Sequence, residues 1–247
     1  MRALDPETRD MCKAAVLLCT IGPAGTGTQM RGGDARSAIR NCITDAINKA
    51  QTQAKSQSGM ARCQDDADAR PDAGIISCTA VIKSSAQSPH DLALGFAYRA
   101  IAYADKGMDS GNAALYGRAL EDANQAIKID PKVAQGFLAH GLALFAEGAS
   151  SSDRKLMTLA VEDFSKAIQL NPNPSILASA FEFRGHAFRA LGQNDRAVQD
   201  YSEAIKLDQK NARALYGRGE IERQTGNLTA AEADIRAARS IDPNVGN

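Results

Sequence analysis

The sequence predicts an all-α solenoid, a stack of antiparallel helix pairs, and three observations predict it. First, one ten-residue phrase recurs in the last 126 residues: DANQAIKIDP at 122–131, DFSKAIQLNP at 163–172, DYSEAIKLDQ at 200–209 and DIRAARSIDP at 234–243. An Asp opens each phrase, an Ala holds its fifth position, and Asp or Asn followed by Pro or Gln closes it. Self-similarity at this period marks stacked supersecondary units. Second, aromatics make up 5% of the chain, Trp is absent and alanine is abundant, which suits closely packed helices better than sheets. Third, from Pro71 onward the pattern is helical, broken at Gly and at Asn/Asp clusters.

Composition also narrows the function. Lys plus Arg and Asp plus Glu both number 29 in 247 residues, so nothing points to a nucleic-acid or anionic-membrane partner. A solenoid grows by repetition, so length sets no domain count here.

In chain order, Lys13 precedes a short apolar run over 14–22, followed by Pro23, Ala24 and Gly25. This resembles a secretory signal peptide over 1–24, cleaved after Ala24. Asp5, Glu7 and Asp10 fit such a leader badly, and translation from Met11 would remove them. The expected location is periplasmic or secreted, with a cytoplasmic protein as the alternative. The run is too short to span a bilayer. A lipoprotein at Cys19 is disfavoured, because Leu18 occupies a small-residue place. The Gly-rich stretch Gly22 to Gln29 imitates a phosphate-binding loop, yet Thr28 and Gln29 stand where that loop needs Lys and Ser/Thr. Residues 25–62 read as a loop, one helix over 34–55 with Ile39, Ile43, Ala46 and Ile47 on a shared face, and a polar linker over 52–62.

Residues 63–90 form a degenerate half-repeat containing Cys63 and Cys78. Four helix pairs then fill 91–247, at about 91–131, 132–172, 174–209 and 210–243. The third is the cleanest. Gly185 sits where two helices approach closely, and Gly192 ends the first helix. Asn194 and Asp195 are placed to cap the second, whose inner face carries Ala197, Tyr201 and Ala204. So short a hairpin buries its apolar stripe only against neighbours.

Spacing is uneven. Pro131 to Pro172 spans 41 residues, Pro172 to Gln209 37, and Gln209 to Pro243 34. The excess lies in two aligned inserts, 108–118 and 149–159, after Gly107 and Gly148, which read as helix ends. We expect a longer turn plus one or two extra N-terminal turns on each second helix. A shared functional ridge and a neutral insertion inherited by duplication are equally open readings.

This pattern resembles the tetratricopeptide repeat (TPR), a helix–turn–helix unit of about 34 residues. The fourth unit carries the resemblance through Arg218, Gly219, Gly226, Ala231, Ile235, Ala238 and Pro243, departing at Glu222 where the family prefers Tyr. Earlier units match through Tyr103, Gly107, Ala119, Ala126 and Pro131, and through Gly141, Gly148, Ala160, Phe164, Ala167 and Pro172. Cys78 takes the large-residue slot of the half-unit, and the match covers 72–243, about two-thirds of the chain.

The resemblance implies a right-handed superhelix whose first helices line a concave protein-binding groove. Carried onto this chain, the lining is Leu94, Ala97, Ile101 and Ala104, then Gln135, Leu138, Leu142 and Phe145. Ser179, Glu182, His186 and Arg189 follow, and Arg213, Tyr216, Glu220 and Arg223 complete it. It drifts from apolar to charged, which suits a peptide with one greasy and one polar end. Coverage of the apolar half by another part of the chain, such as the 34–55 helix, is the competing reading. The family's two-carboxylate clamp for chaperone tails is missing, because Ala97, Ile101, Leu138 and Leu142 replace its Lys and Asn.

Nothing in the chain reads as catalytic, cofactor-binding or metal-ligating. His90, His140 and His186 are isolated, no CxxC pair exists, and no nucleophile–base pair stands out. Asp122, Asp163, Asp200 and Asp234 recur by duplication and read as helix-solubilising or locally hydrogen-bonding groups. Of the five cysteines (Cys12, Cys19, Cys42, Cys63 and Cys78), the last two bracket a polar turn. A bridge between them would close a 16-residue loop, contributing about 3 kcal/mol by the chain-entropy model. The arrangement resembles exported bacterial TPR proteins with a Cys pair before the first repeat; a reduced Cys78 in the core with Cys63 at the surface is the alternative. The expected function is a non-enzymatic scaffold for a peptide or protein partner, exported and without a membrane span. A cytoplasmic adaptor or a regulatory subunit of an enzyme complex are the alternatives.

Overall fold

In the computed structural model each recurring phrase lies in the C-terminal part of the second helix of a hairpin. The structure describes Thr44, Asn48 and residues 59–67, 69–84, 87–170 and 172–246. The chain divides into two units, Met1–Ser58 and Gly59–Asn247. In the first, Thr44 and Asn48 are helical and exposed. The expected signal, the loop and the remainder of the 34–55 helix, with Cys12, Cys19 and Cys42, lie outside the described residues.

The second unit begins with a helical segment at 59–67. Nine helices follow among the described residues: α1 (Pro71–Lys83), α2 (Pro89–Ser110), α3 (Ala114–Ile129), α4 (Ala134–Ser151) and α5 (Arg154–Gln169), then α6 (Pro174–Ala190), α7 (Asn194–Leu207), α8 (Ala212–Gln224) and α9 (Leu228–Ile241). They pair as α2/α3, α4/α5, α6/α7 and α8/α9, with α1 on α2. Each second helix also packs on the next first helix, and the first helices α2, α4, α6 and α8 touch in sequence. The result is an all-α solenoid.

Local chemistry sets the helix ends. Pro opens α1, α2 and α6 at a position where its missing N–H costs no bond. The side chains of Ser88, Asp153, Asn173 and Asn211 accept N–H groups of the first turns of α2, α5, α6 and α8. At the stops, Asp130, Asp208 and Asp242 each take the N–H two residues on, at 2.9 Å, which turns the chain into its next element. Asn194 and Asp195 do not cap α7: its N-cap is Gln193, with no side-chain bond to the helix.

The fifth-position alanines, Ala126, Ala167, Ala204 and Ala238, are fully buried. Their small size admits a large neighbour on the same face. Tyr201 is one such, wholly buried and clasped by glycines of two successive first helices. A Cβ on Gly185 would lie 2.8 Å from its ring, and one on Gly217 2.6 Å, so a side chain at either place displaces it.

The opening Asp is no solubilising group. Asp200 accepts Arg184 Nε and Nη2 at 2.7 and 2.8 Å, while Arg184 Nη1 donates to Ser165 Oγ at 3.0 Å. One guanidinium thus ties a first helix to its own second helix and to the second helix of the preceding unit. Arg218 repeats this with Asp234 and Ser202, and Arg99 with Asp122 and Thr79. In the α4/α5 hairpin His140 takes the arginine's place, with Nδ1 2.7 Å from Asp163 Oδ2. The partners lie 16 to 23 residues apart, so the contact is tertiary and invisible in a local pattern.

Two expectations need correcting. Gly107 and Gly148 do not end their helices; both are buried inside them. A Cβ on Gly107 would lie 2.5 Å from the Tyr116 ring, so this glycine serves close approach, not termination. The stops come later, at Gly111 (φ 66°) and Ser152 (φ 57°) in the left-handed region. The inserts therefore lengthen both helices of each stretched hairpin rather than the second alone. Likewise, the expected linker is helical from residue 59, and Met60 packs on the core.

Cys63 and Cys78 form a disulfide, with sulfurs 2.07 Å apart. It joins the 59–67 segment to α1, and both cysteines are fully buried. Gly74 allows the contact, since a Cβ there would lie 2.6 Å from Ala67 Cα.

Candidate functional site: the face of the first helices

The inferred groove residues fall on α2, α4, α6 and α8, which the stacking brings side by side. They are not equally open. Ala97, Ile101, Leu138 and Leu142 are 0%, 8%, 3% and 1% exposed, so these four belong to apolar clusters and offer a ligand no surface. Ala104 is fully buried as well. On this stretch Leu94, Gln135 and Phe145 keep partial exposure.

On α6 and α8 three of these positions, Ser179, Glu182 and Arg213, line a cleft of about 460 Å³. Ser179 and Glu182 line it from α6, Arg213 from α8, Asp208 and Asn211 from the turn before α8, and Asp242 from the end of α9. Glu182 is buried there, its side chain 8% accessible. Asn211 Nδ2 donates to Glu182 Oε2 at 2.8 Å, whereas Oε1 has no hydrogen-bond partner. Arg213 Nη1 stands 3.6 Å from Oε1 and His186 Nε2 3.8 Å, both beyond hydrogen-bond length. Burial raises the Glu182 pKa above the usual carboxylate value; Arg213 and Asn211 pull it back in part.

His186 is tied into the core behind the cleft. Its Nδ1 lies 2.9 Å from the Tyr201 hydroxyl, and its ring stands edge-on to Tyr201 at 5.2 Å. Burial, with Arg189 and Arg213 nearby, pushes its pKa down to about 3, so it is neutral at physiological pH. The Tyr201 hydroxyl, also buried, is shifted upward and keeps its proton. At the far end of α8, Glu220 and Arg223 pair at 2.9 Å. Tyr216 packs with Leu215 and Val245 against the C-terminal turn, where a Cβ on Gly246 would strike its ring. The structure thus gathers Glu182, His186 and Arg213, and sets Tyr216, Glu220 and Arg223 apart from them.

The sequence reading missed Asp208, Asn211 and Asp242. Their signal was present: two are the stop residues of recurring phrases and the third is the cap that follows one of them. A stop and a cap read as local punctuation until the stack brings successive turns together.

Among the described residues no group of His, Cys, Asp or Glu is arranged to hold a metal ion, and no helix is long and apolar enough to cross a membrane.

Residues 184–245, spanning the last two hairpins, match the family model described as tetratricopeptide repeat. Those two hairpins are tetratricopeptide repeats. The crystal structure of TTC0263, a thermophilic TPR protein of Thermus thermophilus, is similar with a TM-score of 0.60, 21% identity, and coverage of 76% of this chain and 92% of that one. What the two share is the TPR fold. Two crystal structures of MamA, each 20% identical, have TM-scores of 0.48 and 0.47, covering 70% and 76% of this chain and 89% and 92% of theirs. They are too distant for any finer correspondence. No curated protein matches the chain.

Proposed function

We propose that this TPR protein is a non-enzymatic scaffold that takes a peptide or protein partner on the face of its first helices, outside the cytoplasm. The observation that carries the binding reading is the convergence of Glu182, Asn211 and Arg213 on one cleft. Along α2 and α4 the partly exposed Leu94, Gln135 and Phe145 continue that face. It offers apolar contact at one end and charge at the other, which suits an extended or helical peptide of matching polarity. The balanced net charge favours a protein over a nucleic acid as partner. Export is supported by the Cys63–Cys78 bridge, because oxidising compartments keep such bonds, and by the apolar run after Lys13.

Photocrosslinkers placed at Phe145 and at Arg213 in living cells test the binding face. The expected result is one shared partner at both positions, lost on Leu94→Glu; unrelated adducts at the two sites would sink the reading. For export, N-terminal sequencing of recovered protein should show residues 1–24 removed. Thiol titration of that protein, denatured but unreduced, should then find only Cys42 free. An intact Met1 in the cytosol overturns export and leaves the cytoplasmic adaptor.

A further inference from the structure

We propose that the cleft between α6 and α8 seats a basic side chain of the partner, a lysine ammonium or arginine guanidinium lodged against the Glu182 carboxylate. The proposal rests on the reading of the first-helix face as the binding face.

Glu182 is an anion site with one oxygen already served. Asn211 satisfies Oε2, while Oε1, on a side chain that lines the cleft, is buried and accepts no hydrogen bond. A buried carboxylate oxygen in this state is costly, and an incoming N–H cation relieves it through a charge-assisted bond. Arg213 approaches to 3.6 Å without closing, and its side chain is 66% exposed, free to swing aside. His186 brings no competing charge, being neutral at physiological pH.

The mouth has the same sign. Asp208 and Asp242 each spend one oxygen on a backbone N–H, of Lys210 and Asn244. Among the described residues the other oxygen of each has no protein donor. Three carboxylates therefore face one guanidinium. An anionic group would meet all three, and an apolar one would leave Oε1 dry. A cationic side chain satisfies the floor and complements the rim, and about 460 Å³ admits it with its flanking backbone.

The test uses the full chain and three fluorescein-labelled peptides that share a Leu/Ala-rich half and differ at one position: lysine, norleucine or glutamate. Anisotropy should show the lysine peptide binding at least about tenfold more tightly than the norleucine one, with the glutamate peptide weakest. Glu182→Gln should abolish that preference, Asp208→Asn should reduce it about two- to threefold, and Arg213→Ala should preserve or sharpen it. Thermal melts establish that each variant is folded. Absence of a lysine preference, or its persistence in Glu182→Gln, overturns the proposal, as does its loss in Arg213→Ala. The broader binding reading is judged separately by the crosslinks at Phe145 and Arg213, so the two can fail independently.

Discussion

The hairpins α2–α5 and α6–α9 are built from one phrase and are held together differently. In the first pair a large apolar cluster runs from Cys63 through Ile101, Leu138, Leu142 and Phe164 into α6, and it takes up the groove-facing Ile101, Ala104, Leu138 and Leu142. The second pair has two smaller clusters, around Tyr201 and Phe188 and around Leu215 and Ala238, and an arginine clamp in each hairpin, where the first pair has one clamp and one histidine. There Ser179, Glu182 and Arg213, at groove-facing positions, line a cleft. The lesson is that a repeat position has no fixed role. Whether it binds or packs depends on how much of the unit's stability is drawn from that face.

The largest expected effect lies at the junction of the two halves. Phe164 is fully buried and stacks on Phe183 of α6 with centroids 6.0 Å apart. Phe164→Ala should cost about 3–5 kcal/mol in urea unfolding. If it also splits one transition into two, the halves are separate cooperative units; a loss under about 1 kcal/mol would show that the junction is not tightly packed.

Next comes the clamp. Arg184→Ala leaves Asp200, only 5% exposed, without its cation, and should cost about 2–4 kcal/mol. His140→Ala, at the equivalent place of the α4/α5 hairpin, removes one bond to a more exposed Asp163 and should cost about 1 kcal/mol. Equal losses would show that the histidine holds its hairpin as firmly as the arginine does.

The last is a pH slope confined to the second half. His186 has a folded pKa near 3 against 6.5 when free, so the unfolded chain binds the extra proton between those values. Its contribution is complete above pH 6.5 and is lost as pH falls toward 3, by at most about 1.4 kcal/mol per unit. Glu182 acts in the opposite direction, its contribution complete below 4.5 and lost as pH rises through its raised folded value. His186→Gln should flatten the acid limb of a stability–pH curve and Glu182→Gln should steepen it. A curve unmoved by both would mean that neither group titrates differently on folding.

Much of this was legible beforehand. Helix pairing, the buried alanines and the close approach at Gly185 follow from local spacing, which a one-dimensional pattern records faithfully. The errors share one cause. Gly107 and Gly148 were read as stops because glycine signals both termination and tight contact, and only Tyr116 and its counterparts in space decide between them. Ser152, a non-glycine residue at positive φ, carries no such signal at all. Position-by-position transfer of the groove cannot register that Leu138 and Leu142 are sealed within a cluster. The cleft's Asp208 and Asp242 come from turns 34 residues apart, and their meeting is a property of the stack.

The guanidinium clamp has a bearing on how such an array can change in length. Arg99, Arg184 and Arg218 each reach back to a hydroxyl in the preceding unit, so excising or inserting a hairpin at those borders strands a charged donor unless the new neighbour supplies Ser or Thr. Among the described residues the border between α3 and α4 has no such tie: Asn124 occupies the hydroxyl's place, and His140 pairs with Asp163 of its own hairpin. At that seam the clamp sets no condition on the incoming neighbour, and the apolar cluster that crosses it through Ile101 and Leu138 sets the condition instead.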